Sequence, residues 1–247
     1  MGLIRPLIKG FHRAEVRGLE HVPAAGAALV VSNHSGGLFP MDVPVFATDF
    51  YQRFGFDRPI YTLGFDLLFV GPTAEFFRRT GFIPANPRNA DEALRSGGVV
   101  VVFPGGDYDV YRPTAARNKI DFGGRTGYVK AALNAGVPIV PTVGIGGQET
   151  QLYLTRGTGV AKLLRLDKLL RAKILPLSFG FPFGLSAVLP VNVPLPTKIV
   201  MEVLEPIDIA AQFGDDPDID EVDAHVRRVM QRAANRLAKE RRFPVIG

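Results

Sequence analysis

The chain has 247 residues, 47% hydrophobic and 21% charged, which suits one substantial core and excludes a disordered chain. It has no cysteine, so disulfides, thiolate metal sites and cysteine nucleophiles are excluded. The formal charge of +5 and a pI near 9.6 call for an anionic partner, either nucleic acid, anionic lipid or a phosphorylated small molecule.

In chain order, Met1 to Ile8 is too short and interrupted for a signal peptide and reads as an interfacial tail. Ala14–Gly18 and the apolar run Ala27–Val31 are strands. Met41–Phe54 reads as a helix with Val43, Val45, Phe46 and Phe50 on its apolar side. Ile60–Leu63 is a third strand. Asp66–Val70 and Thr73–Arg79 are short helices broken by Gly71-Pro72. Asn89 is placed to cap a helix that ends at Gly97-Gly98. Val99–Phe103 is apolar throughout, as a central parallel strand should be, and Pro104-Gly105-Gly106 stops it. Gly124–Asn134 is a helix. Val137–Val143 is a strand whose prolines, Pro138 and Pro141, argue for an edge or an early end.

Strands and helices alternate through this region, which predicts a single α/β domain with a mostly parallel central sheet flanked by helices. Gly159–Lys173 then reads as a basic amphipathic helix. Ile174–Pro196 contains no charged residue, but five prolines and two glycines exclude a regular spanning helix. The segment reads as an apolar loop, packed on the core or dipping into a bilayer interface. Lys198–Leu204 is a last strand. Asp220–Arg242 is a closing helix with Val222, Val226, Val229, Ala233 and Leu237 in one stripe.

Chemistry concentrates at the exit of the second strand, Ser32-Asn33-His34-Ser35-Gly36-Gly37, followed by Asp42. Open α/β sheets place their sites at such carboxyl ends, and a helix N-terminus there favours negative charge. Histidine can act as a general base near neutral pH, with a carboxylate to orient it. His12, His21 and His225 show no metal-ligand spacing. The G-x-S-x-G elbow, the Walker loop and the dinucleotide fingerprint are all absent. There is no nucleic-acid motif either: Lys239-Glu240-Arg241-Arg242 sits at a helix end, where bases complement the dipole.

Asn33-His34 with Asp42 resembles the first motif of the glycerolipid acyltransferases, the lysophosphatidic acid acyltransferase superfamily. Thr80-Gly81-Phe82-Ile83-Pro84-Ala85-Asn86-Pro87-Arg88 resembles its second, Val101-Val102-Phe103-Pro104-Gly105-Gly106 its third, and Ala135-Gly136-Val137-Pro138-Ile139-Val140-Pro141 its fourth. The set runs in order over residues 14–210. Two departures stand out. Seven residues separate His34 from Asp42 where the family pattern has four, and the third motif continues Gly105-Gly106-Asp107-Tyr108, the double-glycine form of the diacylglycerol acyltransferase-like branch. That form lacks the family's arginine, and Arg88, Arg112, Lys119 and Arg125 are the candidates to replace it.

The resemblance implies direct acyl transfer from acyl-CoA or acyl-ACP (acyl carrier protein) as co-substrate, without a resident cofactor. The acceptor is a hydroxyl of a glycerolipid such as a lysophospholipid or acylglycerol. His34 is the implied general base and Asp42 its partner. Asn33, Ser35, Gly36, Arg88, Pro104, Gly105, Gly106, Arg112 and Arg125 are the implied substrate-binding positions. Backbone N–H groups near Ser35-Gly36 or Gly105-Gly106 would hold the oxyanion. The implied location is the cytoplasmic face of a membrane with an anionic surface, as a peripheral or monotopic protein. The competing readings are a thioesterase or lipase-like hydrolase, with Ser35 as nucleophile, and a lipid-binding scaffold of weak activity.

Overall fold

The computed structural model describes residues 5–169, 173–241 and 243. Its elements are β1 (Glu15–Arg17), β2 (Ala28–Ser32), α1 (Asp42–Phe54), β3 (Ile60–Gly64), α2 (Ala74–Arg79), β4 (Phe82–Pro84), α3 (Pro87–Arg95), β5 (Val99–Val102), α4 (Gly106–Val110), α5 (Gly127–Ala135), β6 (Ile139–Ile145), β7 (Leu152–Thr155), α6 (Thr158–Leu163), α7 (Leu166–Leu169), β8 (Leu177–Gly180), β9 (Gly184–Ala187), β10 (Val200–Val203), α8 (Ile209–Phe213) and α9 (Ile219–Glu240). A seven-stranded sheet runs β1-β10-β6-β2-β5-β3-β4, and a three-stranded one runs β7-β8-β9. Every pairing in the large sheet is parallel except β10 with β6, so the α/β, mostly parallel reading holds.

Strict alternation builds the core. Leu29, Val31, Val100, Ile139, Val143 and Val200 face α3, α5 and α9, whereas Ala28, Val30, Val99, Val101, Val140 and Met201 face α1. Each valine buried this way contributes roughly 1.5–3 kcal/mol of transfer free energy, which is why both faces of β2 and β5 are apolar. On α9 the buried stripe includes Met230 where Val229 was expected, and Val229 is only half-buried. Arg242 lies outside the described residues.

Several local expectations need correction. The β6 strand is interior, not an edge: it pairs with β2 on one side and β10 on the other. Pro141 is tolerated because its carbonyl faces β10 and accepts from Leu204 at 2.8 Å. The missing donor therefore points to the β10 side, between the end of that ladder at Val203↔Thr142 and the isolated Ile139↔Ile207 bridge. The cap of α3 is Asn86, whose side chain accepts from the Asn89 N–H at 2.9 Å, with Pro87 at the first helical position. Phe82–Pro84, read only as a motif, is the edge strand β4. The basic helix over Gly159–Lys173 is broken after α6 by Arg165, which takes a left-handed φ of 51°, and residues 170–172 of it lie outside the described residues. Ile174–Pro196 is not a loop: it contributes β8 and β9 to the small sheet. Met1 to Ile4 of the proposed tail lie outside the described residues, and Pro6–Phe11 coil into a short helix that buries Ile8.

His12 follows that helix. It is buried, with Nδ1 3.2 Å from the Thr197 carbonyl. Burial holds its imidazole below the ordinary 6.5, the Thr197 carbonyl pulls the other way, and Arg13 adds to the depression. As pH falls from 6.5, the unfolded chain therefore takes up this proton before the fold does, and stability is lost toward the depressed folded pKa. Urea midpoints measured down that range should fall more steeply for the wild type than for His12→Gln, and parallel curves would refute the assignment.

Candidate active site

The extra residues between His34 and Asp42 form a loop that folds back on itself. Gly36 and Gly37 adopt φ values of 95° and 68°, open to glycine but strained for side chains. This reversal delivers Asp42, the first residue of α1, to the imidazole: His34 Nδ1 lies 2.9 Å from Asp42 Oδ2. A carboxylate only accepts, so Nδ1 carries the proton and donates it, and Nε2 is left with a lone pair.

Asp42 is almost fully buried, and its charge is well compensated. Oδ2 also accepts the Ser35 N–H at 2.8 Å, and Oδ1 accepts the Ser35 hydroxyl at 2.8 Å. The N-terminus of α1 adds a favourable field. The His34 side chain retains 17% of its exposure, enough for contact with a substrate. Its ring stacks on Phe103, with centroids 4.3 Å apart, at the exit of β5.

Neighbouring residues hold the loop from several parts of the chain. The Asn33 amide extends the β2–β6 pairing: Nδ2 donates to the Gly144 carbonyl at 2.9 Å, and Oδ1 accepts the Gly144 N–H at 2.8 Å. The His34 N–H donates to Asp109 Oδ2 at 2.6 Å. Asp109 also receives Nη1 of Arg112 in a buried ion pair. Gln148 accepts the Gly36 N–H through Oε1 at 3.3 Å and donates through Nε2 to the Arg112 carbonyl. Asp109 and Gln148 were not among the expected site residues. Asp109 reads in sequence as one more acid of a polar loop, and only its pairing with Arg112 three residues on hints at burial. Gln148 carries no sequence signal beyond the Gly146-Gly147 before it.

The other expected positions divide. Ser35 is buried, and both its N–H and its hydroxyl serve Asp42. Arg125 clamps the third motif, with Nη1 donating to the Gly105 carbonyl at 2.6 Å and to that of Pro104 at 3.4 Å, and Nη2 pairing with Asp107 at 2.7 Å. Gly105 has to be small, since a Cβ there would lie 2.3 Å from that of Asp109. Arg112 is sealed inside beside Asp109. Burial pushes its guanidinium down to about 10, with Asp42 pulling it back up.

Arg88 is 85% exposed at the start of α3 and pairs with Glu92. The strand before its helix, β4, lies three places from β2 in the sheet, about 14 Å at the usual spacing, so the structure does not bring Arg88 to His34. Lys119 pairs with Asp121 on the surface. The N–H groups of Ser35, Gly36 and Gly106, expected to bind an oxyanion, are already bonded to Asp42, Gln148 and Phe103.

Gly37 also meets β7. A Cβ at this position would lie 1.5 Å from the Tyr153 Oη. Gly37→Ala should therefore destabilise the fold by roughly 1–3 kcal/mol and disturb the His34 loop. Gly124→Ala is the matched control, having a similar φ of 75° with open space around it. Equal losses of Tm for the two variants would show that contact with Tyr153 is unimportant.

Comparisons with known proteins bear on the family and the fold. The Acyltransferase family model matches residues 13–144. An uncharacterized protein of Mycobacterium tuberculosis is 34% identical over 97% of this chain and 67% of its own length, and one from Mycobacterium leprae is 33% identical over 97% and 65%. A Bos taurus protein described as a DGAT1/2-independent enzyme synthesizing storage lipids is 29% identical over 78% of this chain and 56% of its own. The crystal structure of the 1-acyl-sn-glycerophosphate (LPA) acyltransferase PlsC from Thermotoga maritima superposes with a TM-score of 0.55 at 18% identity, covering 96% of this chain and 81% of that one. By the match of the family model over residues 13–144, the chain belongs to the Acyltransferase family.

Proposed function

We propose that the protein moves a fatty acyl group from a thioester, acyl-CoA or acyl-ACP, to a hydroxyl of a glycerolipid, working as a peripheral enzyme at a membrane surface. The observation that carries this reading is the His34–Asp42 pair, with Nδ1 committed to the carboxylate and Nε2 open. Nε2 takes the proton of the acceptor hydroxyl, and the oxygen attacks the thioester carbonyl. The tetrahedral intermediate collapses with loss of the thiolate, which recovers the proton from the imidazolium. Asp42 holds the ring and balances its positive charge during the step. No acyl-enzyme forms, and the buried, doubly engaged Ser35 has no part as a nucleophile.

Acyltransferase family membership supports the reaction class. An acylglycerol or lysophospholipid acceptor is supported by the storage-lipid enzyme among the relatives and by the likeness to PlsC. The expected arginines are engaged within the protein, Arg88 with Glu92, Arg112 with Asp109 and Arg125 with Gly105 and Asp107, which favours an acceptor without a phosphomonoester. The test is product analysis with a labelled acyl thioester and a panel of monoacylglycerols, diacylglycerols and lysophospholipids. Label should appear in the acylated lipid and require the acceptor. Free fatty acid formed at the same rate without acceptor would establish a hydrolase instead, and no turnover with any acceptor would leave the scaffold reading.

A further inference from the structure

The small sheet β7-β8-β9 is built inside out. Its register aligns Leu152 with Phe179 and Leu185 in one row, and Tyr153 with Ser178 and Ser186 in the next. Alternate rows face opposite sides. The row of leucines and phenylalanine is exposed, and the row with the two serines is buried. A sheet with one wet face normally shows the reverse pattern.

The polar inner face is satisfied locally. The Ser178 and Ser186 hydroxyls pair at 3.1 Å, and Asn192 donates to the Gly184 carbonyl and to Ser186. Tyr153, on the same inner face, packs against Gly37 of the His34 loop. Around the outer face stand Phe181 (79% exposed), Phe183 and Leu189. So much contiguous apolar surface on water marks a contact site.

Charge identifies the occupant. From Leu152 to Pro196 there are six basic residues, Arg156, Lys162, Arg165, Lys168, Arg171 and Lys173, and one acid, Asp167. Their net +5 equals that of the whole chain, and the remainder is neutral, with 23 basic and 23 acidic residues. The bases cluster between Arg156 and Lys173, and none falls in 174–196. A charge-free apolar stretch next in the chain to a cationic one is the pattern of an interfacial membrane anchor, with apolar groups in the acyl boundary and bases at the headgroups. A second copy is a poor occupant, because the two +5 segments would meet. Among the described residues no helix is long and apolar enough to cross a membrane.

We infer that the outer face of β7-β8-β9, together with the basic segment that joins β7 to β8 and carries Lys162, Arg165 and Lys168, is the surface by which this protein docks on an anionic lipid bilayer. This deepens the proposed acyl transfer, which needs a lipid acceptor from a membrane, and it places the docking sheet directly against the His34 loop through Tyr153.

The test is sedimentation of the full chain with phosphatidylglycerol vesicles and with phosphatidylcholine vesicles, in the absence of substrate. The wild type should pellet with phosphatidylglycerol, bind phosphatidylcholine more weakly, and release as salt is raised. The triple variant Phe179→Ser/Phe181→Ser/Leu185→Ser should lose roughly tenfold or more in vesicle affinity. Lys162→Glu/Arg165→Glu should lose binding to phosphatidylglycerol selectively. All five side chains are exposed, and melting curves check that both variants fold. A wild type that stays in the supernatant, a triple variant that pellets as well as the wild type, or dimers in the ultracentrifuge abolished by the triple variant would each overturn the inference. Sedimentation without substrate is independent of turnover: a chain that pellets but transfers no acyl group refutes the enzymatic reading alone, and one that transfers but never pellets refutes docking alone.

Discussion

His34→Ala should lower kcat for acyl transfer by about a thousandfold, the range expected when a general base is removed. Asp42→Asn should cost about a hundredfold or more, although the side chain keeps its size. The reason lies in the tautomer. An asparagine at position 42 can present its NH2 group to His34, so that Nδ1 becomes an acceptor and Nε2 carries the proton. A protonated Nε2 cannot accept from an alcohol. Ser35→Ala separates the acyl-transfer mechanism from a serine hydrolase. It removes one 2.8 Å hydrogen bond to Asp42 and should slow turnover only severalfold. Steady-state kinetics with a saturating thioester donor measure all three. Full activity in His34→Ala, or a loss in Ser35→Ala as deep as that in His34→Ala, would exclude the mechanism.

The second large effect is on stability. Asp109 and Arg112 form an ion pair with both side chains nearly inaccessible. Asp109→Ala leaves the guanidinium buried without its counter-charge, and breaking such a pair typically costs about 3–5 kcal/mol. The variant also strips the acceptor from the His34 N–H. Asp109→Asn keeps an oxygen for that N–H but not the charge, so it should recover catalysis per folded molecule better than it recovers stability. Adding Arg112→Met to Asp109→Asn removes the unpaired charge and should restore much of the loss. Urea denaturation measures each variant, and the double-mutant coupling isolates the pair. A free energy for Asp109→Ala within 1 kcal/mol of wild type, well below that range, would show that the charge finds another partner or water.

The large sheet was legible because burial on both faces leaves an unmistakable trace, as in Val99–Val102 and Ala28–Ser32. The order of the four motifs likewise carried the family. Illegible features depended on geometry between distant segments. Pro141 argued for an edge, because a sequence does not show which side of a strand a missing N–H faces. The prolines of 174–196 argued for a loop, yet the short strands between them pair with each other, and β8 pairs with β7, residues 152–155, which carry no comparable signal. Their alternation was present, but with apolar residues outward, and it could not be interpreted without knowing which face is wet. The same limit hid Asp109, whose partners are the His34 backbone and a buried arginine. Asp42 was named from its motif despite its unusual distance in sequence, and Gly36 and Gly37 supply the reversal that brings it home.

The supports of His34 have a consequence for how activity and folding are linked. They come from Asp42, Phe103, Asp109 and, through the flanking residues, from Gly144 and Gln148. No contiguous fragment supplies them, so a partly folded chain with only its first strands paired has the base but not its orientation. Turnover is therefore an all-or-none reporter of the native state. In rising urea, activity and the near-ultraviolet signal of the core should disappear in one superimposable transition, with no active intermediate preceding it.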